Sequence, residues 1–261
     1  MAAACGMRDF LRAEPMRTYA GHDGDILALS FSRSSHFLLS SSMDKTVRLW
    51  QLAGAECLFA FQHIDFVTDV VFHPLNERLF LSGSLDNKLR VWSIKEKRVV
   101  NWSDVSGFIT AVGFSRDGTT AFAGTYDGKC TFFETDGLRW RTQIHVRSTR
   151  GKNHKGKKIT GVQMLADDAH VLITSNDSRV RLYRTNDFSL LCKYRGAVNA
   201  SFQIRASFSR ATARYIVSGS DDGRVVIWNT LNQLGEAVAT APTRALLPQP
   251  AAQAAAHDQA A

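Results

Sequence analysis

The sequence contains no long apolar run and no cluster of cysteines, and both absences narrow what the chain is. No stretch approaches the roughly 18 apolar residues that a membrane-spanning helix needs. The first 17 residues carry charges and no apolar centre, so they do not resemble a secretory signal. The four cysteines, Cys5, Cys57, Cys130 and Cys192, lie far apart, and no pair has zinc-site or CxxC spacing. We therefore expect reduced thiols in a cytoplasmic protein.

Acidic residues are missing from the most basic part of the chain, His145 to Lys158. The segment holds six cations: Arg147, Arg150, Lys152, Lys155, Lys157 and Lys158. The net charge of the whole chain is +8, so most of the positive excess is local. A local excess argues against a nucleic-acid-binding protein that is coated in positive charge.

The clearest feature that is present is an internal repeat. Five segments place an Asp six residues before a terminal aromatic residue, at 40–50, 82–92, 123–133, 174–183 and 218–228. The repeated residues are Asp44, Asp86, Asp127, Asp177 and Asp222, with spacings of 42, 41, 50 and 45 residues. Asp beside Gly, Lys, Asn or Ser favours a tight hairpin turn, and a strand rich in Val, Leu and Ile follows it. With one strand upstream and one downstream, each unit supplies four strands.

These units resemble the WD-repeat family, whose repeats of about 40–45 residues carry Gly-His near the start and Trp-Asp near the end. Gly21 and His22 match the start of the repeat. The end of the repeat is matched by Trp50, Trp92 and Trp228, with Phe133 and Tyr183 in the other two units. Gln51, Ser93 and Asn229 stand where the family has its Asp. The resemblance implies an all-β WD40 β-propeller with five recognisable four-stranded blades, an incomplete ring of the seven-bladed type.

The resemblance also implies a structural hydrogen-bond network inside each blade. It assigns His22, Asp44 and Trp50 to one network. It assigns His63, Asp86 and Trp92 to a second, and Asp127, Asp177, Asp222 and Trp228 to the equivalent positions of the other blades. We interpret these residues as blade-stabilising, and we expect no serine or cysteine to complete a hydrolytic triad with them. The chain is therefore predicted to be no enzyme and to need no metal or cofactor.

Three arginines follow the turn Asp by four residues: Arg48, Arg90 and Arg181. They form either a basic stripe or, as we expect, ion pairs with acids of adjacent blades.

The domain boundaries follow from the repeats. We predict a flexible N-terminus at 1–14 and a propeller at 15–230. Its repeats run at about 15–56, 57–98, 99–138, 139–190 and 191–235. Residues 231–261 are rich in Ala, Gln and Pro and lack aromatics, which favours a disordered tail. Residues 15–21 are expected to form an outer strand of the last blade. Residues 235–241 are expected to form one further outer strand, the one ordered piece of the tail.

The long spacing of 50 residues places the basic segment between the outer strand of one blade and the inner strand of the next. That connection lies on the same face as the Asp turns. Three interpretations stay open: a solvated insertion, a contact for an acidic protein surface or peptide, and a contact for anionic lipid head groups. Nucleic acid is a weaker variant, because the segment has no aromatic residue on which bases stack.

Within the WD-repeat family, the sequence TQIHVRSTRG (142–151) closely resembles that of a branch with animal, plant and fungal members. The likeness covers about residues 17–230. Animal members of this branch resemble effectors of a Rab GTPase of recycling endosomes. The resemblance implies a protein-interaction scaffold in Rab-linked endosomal and vesicle traffic, cytoplasmic or peripheral on endosomal membranes. The alternative is a peripheral membrane binder that uses residues 145–158.

In those members the GTPase-binding stretch lies largely before the propeller. Only about 17 residues precede the propeller in this sequence. We therefore do not expect these 261 residues to bind a Rab GTPase by themselves.

Overall fold

The computed structural model describes residues 17–146, 156–165, 167–209, 214–231, 235 and 237–242. Over these ranges, strands form five four-stranded antiparallel sheets, and each sheet uses four consecutive strands. A single 3-10 turn at Asp136–Leu138 interrupts the pattern. No helix in the described ranges is long and apolar enough to cross a membrane. The predicted all-β fold with five blades is confirmed.

The five blades follow one another along the chain. Blade 1 holds β1 (Ile26–Phe31), β2 (Phe37–Ser42), β3 (Thr46–Gln51) and β4 (Glu56–Gln62). Blade 2 holds β5 (Val67–Phe72), β6 (Leu79–Ser84), β7 (Lys88–Ser93) and β8 (Arg98–Asp104). Blade 3 holds β9 (Ile109–Phe114), β10 (Thr120–Thr125), β11 (Lys129–Glu134) and β12 (Arg139–His145). Blade 4 holds β13 (Ile159–Met164), β14 (His170–Ser175), β15 (Arg179–Arg184) and β16 (Leu190–Tyr194). Blade 5 holds β17 (Ala206–Phe208), β18 (Tyr215–Ser220), β19 (Arg224–Asn229) and β20 (Ala237–Pro242).

Hydrophobic cores lie between successive blades rather than within one sheet. Between blades 1 and 2, Leu39 and Phe61 pack with Val70, Phe80 and Trp92. Three further clusters join blades 2 and 3, 3 and 4, and 4 and 5. Both faces of a central blade are covered. Its strands therefore consist of consecutive apolar residues and do not alternate between apolar and polar residues.

Small residues in the second strand of a blade leave room for the inner strand of the next. A Cβ atom on Gly83 of β6 would lie 2.5 Å from Ile109 and 2.6 Å from Val112 of β9. A Cβ atom on Gly124 of β10 would likewise lie 2.6 Å from the side chain of Ile159 of β13. The branched apolar side chains of one inner strand therefore fit against glycine in the preceding blade.

Hydrogen bonds between inner strands join the blades around the central channel. The Thr68 hydroxyl donates to the Ile109 carbonyl at 2.8 Å, and the Thr110 hydroxyl donates to the Ile159 carbonyl at 2.6 Å. Both threonines are the second residue of an inner strand, so the link repeats from blade 2 to blade 4. The repeated link holds neighbouring blades in register.

An ion pair between an exposed arginine and a buried aspartate spans the channel from blade 5 to blade 2. The Arg205 guanidinium lies 2.9 Å from the Asp69 carboxylate, which also accepts a hydrogen bond from the backbone N–H of Val112 at 2.7 Å. The Arg205 stem passes over Gly161, where a Cβ would lie 3.1 Å from it. Burial raises the pKa of Asp69, and the Arg205 charge opposes that rise. Blade 5 is thus tied to a blade that is not its neighbour in sequence.

One boundary prediction needs correction. Residues 17–21 are not a strand, although one was expected at 15–21. The fourth place in the fifth sheet is taken by β20, so the free edge of β19 is already paired. Strand β20 lies where the sequence predicted the one ordered piece of 231–261, at 235–241. Its Val and Thr residues suit a strand, and pairing with β19 stabilises it there.

The inner strand of blade 1 has an uncovered face. Ile26 of β1 is 51% exposed, whereas Ile109, at the equivalent position of β9, is 0% exposed. Leu29 and Phe31 are exposed in the same way. Since a preceding blade covers this face at β5, β9 and β13, the described residues form an incomplete propeller.

Candidate binding site at the turn face

The hairpin turns that carry the repeated Asp residues all lie at one end of the blades. We call this end the turn face. It comprises the turns at 43–45, 85–87, 126–128, 176–178 and 221–223. It also holds the connections from each outer strand to the next inner strand, because antiparallel strands return to the same end. The repeated Asp residues and, of the predicted binding residues, Lys157 and Lys158 are therefore brought to one end of the blades.

The first predicted network is present in blade 1. The two ring nitrogens of His22 lie 2.6 Å from the Asp44 carboxylate and 2.6 Å from the Ser40 hydroxyl. The indole N–H of Trp50 donates to the same Ser40 oxygen at 2.8 Å. Burial alone would raise the pKa of Asp44, but hydrogen bonds from Thr46, His22 and the Asp23 backbone lower it to about 2. The carboxylate is therefore held ionised.

We expected no serine to complete a hydrolytic triad, but the structure places one in that arrangement. Ser40, His22 and Asp44 are hydrogen-bonded in the order of a serine-hydrolase triad. Ser40 is only 1% exposed, however, and its oxygen is also engaged by Trp50. A hydroxyl that no substrate carbonyl reaches is not a nucleophile, so the arrangement stabilises the blade.

The second predicted network is only partly formed. His63 and Trp92 both bond to the Ser82 hydroxyl, at 2.8 and 2.9 Å. Asp86 does not bond to His63, because it forms a bidentate pair with Arg90 at 2.6 and 3.1 Å. Burial, and then the Arg90 charge, lower the pKa of His63 to about 4.

The arginines pair within their own blade, which corrects the inter-blade pairs that we expected. Arg90 binds Asp86, and Arg181 binds Asp177 through both guanidinium nitrogens. Arg181 is fully buried and also donates to the Ser175 hydroxyl at 2.8 Å. Among the described residues Arg48 forms no such pair, since the Asp44 carboxylate is bonded to His22.

The remaining network positions diverge further. Asp127 accepts from the Thr125 hydroxyl and pairs with Lys129 at 2.8 Å. Asp222 lies 3.6 Å from Arg224, and its neighbour Asp221 accepts backbone N–H bonds instead. Trp228 donates to the Arg195 carbonyl at 2.7 Å. Across the described ranges, no group of three or more His, Cys, Asp or Glu residues is arranged to hold a metal ion.

The basic segment begins and ends against the turn of blade 3. Arg147, Arg150, Lys152 and Lys155 lie outside the described residues. On the near side, the Val146 N–H donates to the Gly128 carbonyl at 2.7 Å. On the far side, Gly156 lies so close to Gly128 that a Cβ on Gly156 would approach the Gly128 Cα to 3.0 Å. Lys157 and Lys158 are described and line a depression beside this turn.

That depression, which we call the mouth pocket, encloses about 690 Å³ among the inner ends of blades 2 to 5. Its size lies within the range of about 300–1,000 Å³ that is common for ligand sites. Residues that line it include Asn87, Phe108, Tyr126, Lys157, Lys158 and Asn176. Sequence reasoning found the two lysines and missed the two aromatics.

Phe108 and Tyr126 are 53% and 61% exposed, although both are large and apolar. The Tyr126 N–H donates to the Phe108 carbonyl at 2.9 Å, so the two residues lie side by side. A signal was available, because Phe108 immediately precedes an inner strand and Tyr126 immediately precedes a turn Asp. Both positions face the end of the blade and not a core.

The chain is similar to known WD-repeat proteins. The family described as "WD domain, G-beta repeat" matches residues 13–51, 55–93 and 204–229, which are parts of blades 1, 2 and 5. WD repeat-containing protein 44 of Xenopus laevis is 54% identical over 86% of this chain. An uncharacterised WD repeat-containing protein of Schizosaccharomyces pombe is 33% identical over 85% of it. The 2-deoxy-glucose resistant protein 2 of Saccharomyces cerevisiae is 30% identical over 89%. The chain spans 25%, 38% and 30% of the lengths of these relatives.

Proposed function

Because the chain belongs to the WD-repeat family, we propose that it is a non-enzymatic interaction scaffold in Rab-linked endosomal and vesicle traffic. In this proposal, a protein partner docks on the turn face. The similarity to WD repeat-containing protein 44 supports the traffic role, together with the resemblance to Rab effectors carried by residues 142–151. Since the chain spans a quarter of that relative, the proposal does not assign binding of the Rab GTPase itself to this surface.

The observation that carries the docking proposal is the exposure of large apolar side chains at the turn face. Exposed apolar residues occur in the turns and connections of blades 1 to 5: Met43, Ile64, Phe108, Tyr126 and Phe202. Exposed apolar surface rimmed by polar groups marks interaction sites. Aromatic residues are also enriched where protein interfaces gain most of their binding energy.

The burial and pairing of the network residues support the non-enzymatic part. Ser40 is buried behind Trp50, and Asp86 and Asp177 are held by arginines. The alternative, a contact with anionic lipid head groups, rests on the cations of residues 145–158. No further observation favours it.

Localisation of the tagged chain in cells tests the proposal. We expect enrichment on Rab-positive recycling endosomes, and loss of that enrichment in the double variant Phe108→Ser, Tyr126→Ser. The matched control is Trp140→Ser, which removes an equally exposed aromatic from outer strand β12. Endosomal enrichment that survives the double variant, or that is lost equally in the control, contradicts docking through the turn face.

A further inference from the structure

We propose that copies of this chain associate head to tail, so that β1 of blade 1 in one copy packs on β18 of blade 5 in another. The inference goes beyond the proposed function, because it concerns the free sides of the two outermost blades and not the turn face. The side of β1 that no blade covers is called the open strand and consists of Ile26, Leu29 and Phe31. The side of β18 that points away from blade 4 is called the end face and consists of Tyr215, Val217 and Gly219.

Blade 5 is covered on one side only. Ile216 and Trp228 are fully buried in the cluster shared with blade 4. Successive side chains of a strand point to opposite sides of its sheet, so Tyr215, Val217 and Gly219 point the other way. Tyr215 is 37% exposed, and Gly219 is exposed as well. The end face is therefore a strand side without a cover among the described residues.

Gly219 is an open socket of the kind that the chain fills elsewhere. Like Gly83 in blade 2, it is the fifth residue of a second strand and pairs with the second residue of the third strand. A Cβ atom on Gly83 would lie 2.5 Å from Ile109 of the next blade. A Cβ atom on Gly219 would have only Ile204, in the segment before β17, within 4 Å, at 3.7 Å. The position that receives a branched side chain at the junction of blades 2 and 3 is thus accessible on blade 5.

The open strand carries the side chains that such a socket receives. Leu29 and Phe31 are 59% and 62% exposed. At the equivalent positions of β9, Val112 and Phe114 are 5% and 9% exposed, because blade 2 covers them. Exposed apolar surface of this kind marks an interaction site.

The uncovered part of blade 1 is limited to this one strand. Residues 17–22 already lie over the outer part of the same side, where the Tyr19 ring packs edge-on against Trp50 and the Tyr19 hydroxyl donates to the Leu52 carbonyl at 3.1 Å. Within the chain, the inner strand of one blade packs on the second strand of the blade before it, as β9 does on β6. The two free strands, β1 and β18, are an inner strand and a second strand, so they form the missing combination.

These observations favour a second copy as the occupant. Every copy carries both surfaces, and their side-chain types are those that already fit each other inside the chain. Neither β1 nor β18 contains a charged residue, so the surfaces offer no charge to an acidic or basic partner. Burial of the apolar side chains drives the association, and contact between two different surfaces makes it heterologous.

Sedimentation velocity of the full chain at concentrations from about 1 to 100 μM tests the inference. We expect the mass of the wild type to rise with concentration above that of one chain and to fall again on dilution. We expect Leu29→Asp and Gly219→Asp each to raise the dissociation constant by about tenfold or more, because a carboxylate buried among apolar side chains has no partner. Both positions are exposed in a single copy, so circular dichroism and the melting temperature should be unchanged.

A mixture of the two variants tests which surfaces meet. The open strand is intact in Gly219→Asp, and the end face is intact in Leu29→Asp. We therefore expect an equimolar mixture to form a one-to-one dimer, although each variant alone is a monomer. If either variant alone associates as the wild type does, or if the mixture stays monomeric, the head-to-tail contact is wrong.

The matched control is Leu75→Asp, which makes the same change at a 62% exposed leucine in the β5–β6 connection, outside both surfaces. We expect it to associate as the wild type does. Equal weakening in this control overturns the inference, because it shows unspecific apolar adhesion. A wild type that is monomeric at every concentration, or whose large species do not dissociate on dilution, also overturns it.

Discussion

At the scale of single residues, one repeated Asp serves different partners in different blades. Asp44 bonds to His22, whereas Asp86 and Asp177 bind the arginine four residues later. Asp86 lies in the hairpin turn before β7, and the long Arg90 side chain reaches back to its carboxylate. The constant spacing of four residues was visible in the sequence, but we expected these arginines to pair with acids of adjacent blades.

His63 gives the clearest dependence on pH. Its ordinary pKa of 6.5 falls to about 4 in the folded chain, because burial and then the Arg90 charge disfavour the imidazolium, while Asp86 opposes them. As the pH falls, His63 is therefore protonated near pH 6.5 in the unfolded chain but only near pH 4 in the folded chain. The contribution of His63 to stability is complete above pH 6.5, falls as the pH decreases, and levels off below about 4.

We expect the variant His63→Gln to lose this dependence. The free energy of unfolding of the wild type should fall relative to the variant by up to about 1.4 kcal/mol per pH unit between those values. Urea denaturation across the pH range measures the difference. His36→Gln, at an exposed histidine, is the control. Parallel curves for the wild type and His63→Gln would show that His63 is protonated equally in both states.

At the scale of elements, the fit between blades depends on glycine in the second strand. Gly83 receives Ile109 and Val112, and Gly124 receives Ile159. The apolar strands and Asp turns were predictable from local sequence, since period and turn chemistry are local properties. The contacts that close the blades together were not, because Gly83 and Ile109 belong to different repeats.

Gly83→Ala should be costly for this reason. Its methyl group would lie 2.5 Å from a branched, buried side chain that has no space to move. We expect a loss of about 1–3 kcal/mol in the free energy of unfolding. The control is Gly54→Ala, whose nearest neighbour is a flexible Glu56 side chain at 3.5 Å, and we expect a change within about 0.5 kcal/mol there. Equal effects in the two variants would contradict the packing argument.

The sequence also could not reveal the contacts that shape the channel. Arg205 pairs with Asp69 across the channel, although the two residues lie in blades 5 and 2. Nor was the exposed pair of Phe108 and Tyr126 predicted. Their role depends on which side chains lie around them, and that is a property of the assembled ring.

At the scale of the whole molecule, chemistry is concentrated at one end of an incomplete ring. The turn face holds the structural networks, the mouth pocket and both ends of the basic segment. The uncovered inner strand of blade 1 is a separate feature, because Ile26 and Leu29 occupy positions that lie against glycine in the preceding blade elsewhere. The proposed docking surface and the uncovered face of blade 1 are therefore different parts of the molecule.

The most direct measurement is site-specific photo-crosslinking in cells. A benzophenone amino acid replaces Tyr126 at the mouth pocket or, in a matched chain, Trp140 on the outer strand of the same blade. We predict a discrete crosslinked protein from position 126 and none from position 140, with the product reduced by Lys158→Glu. Crosslinks from position 140 alone, or none from position 126 while the chain is enriched on endosomes, would contradict partner binding at the turn face.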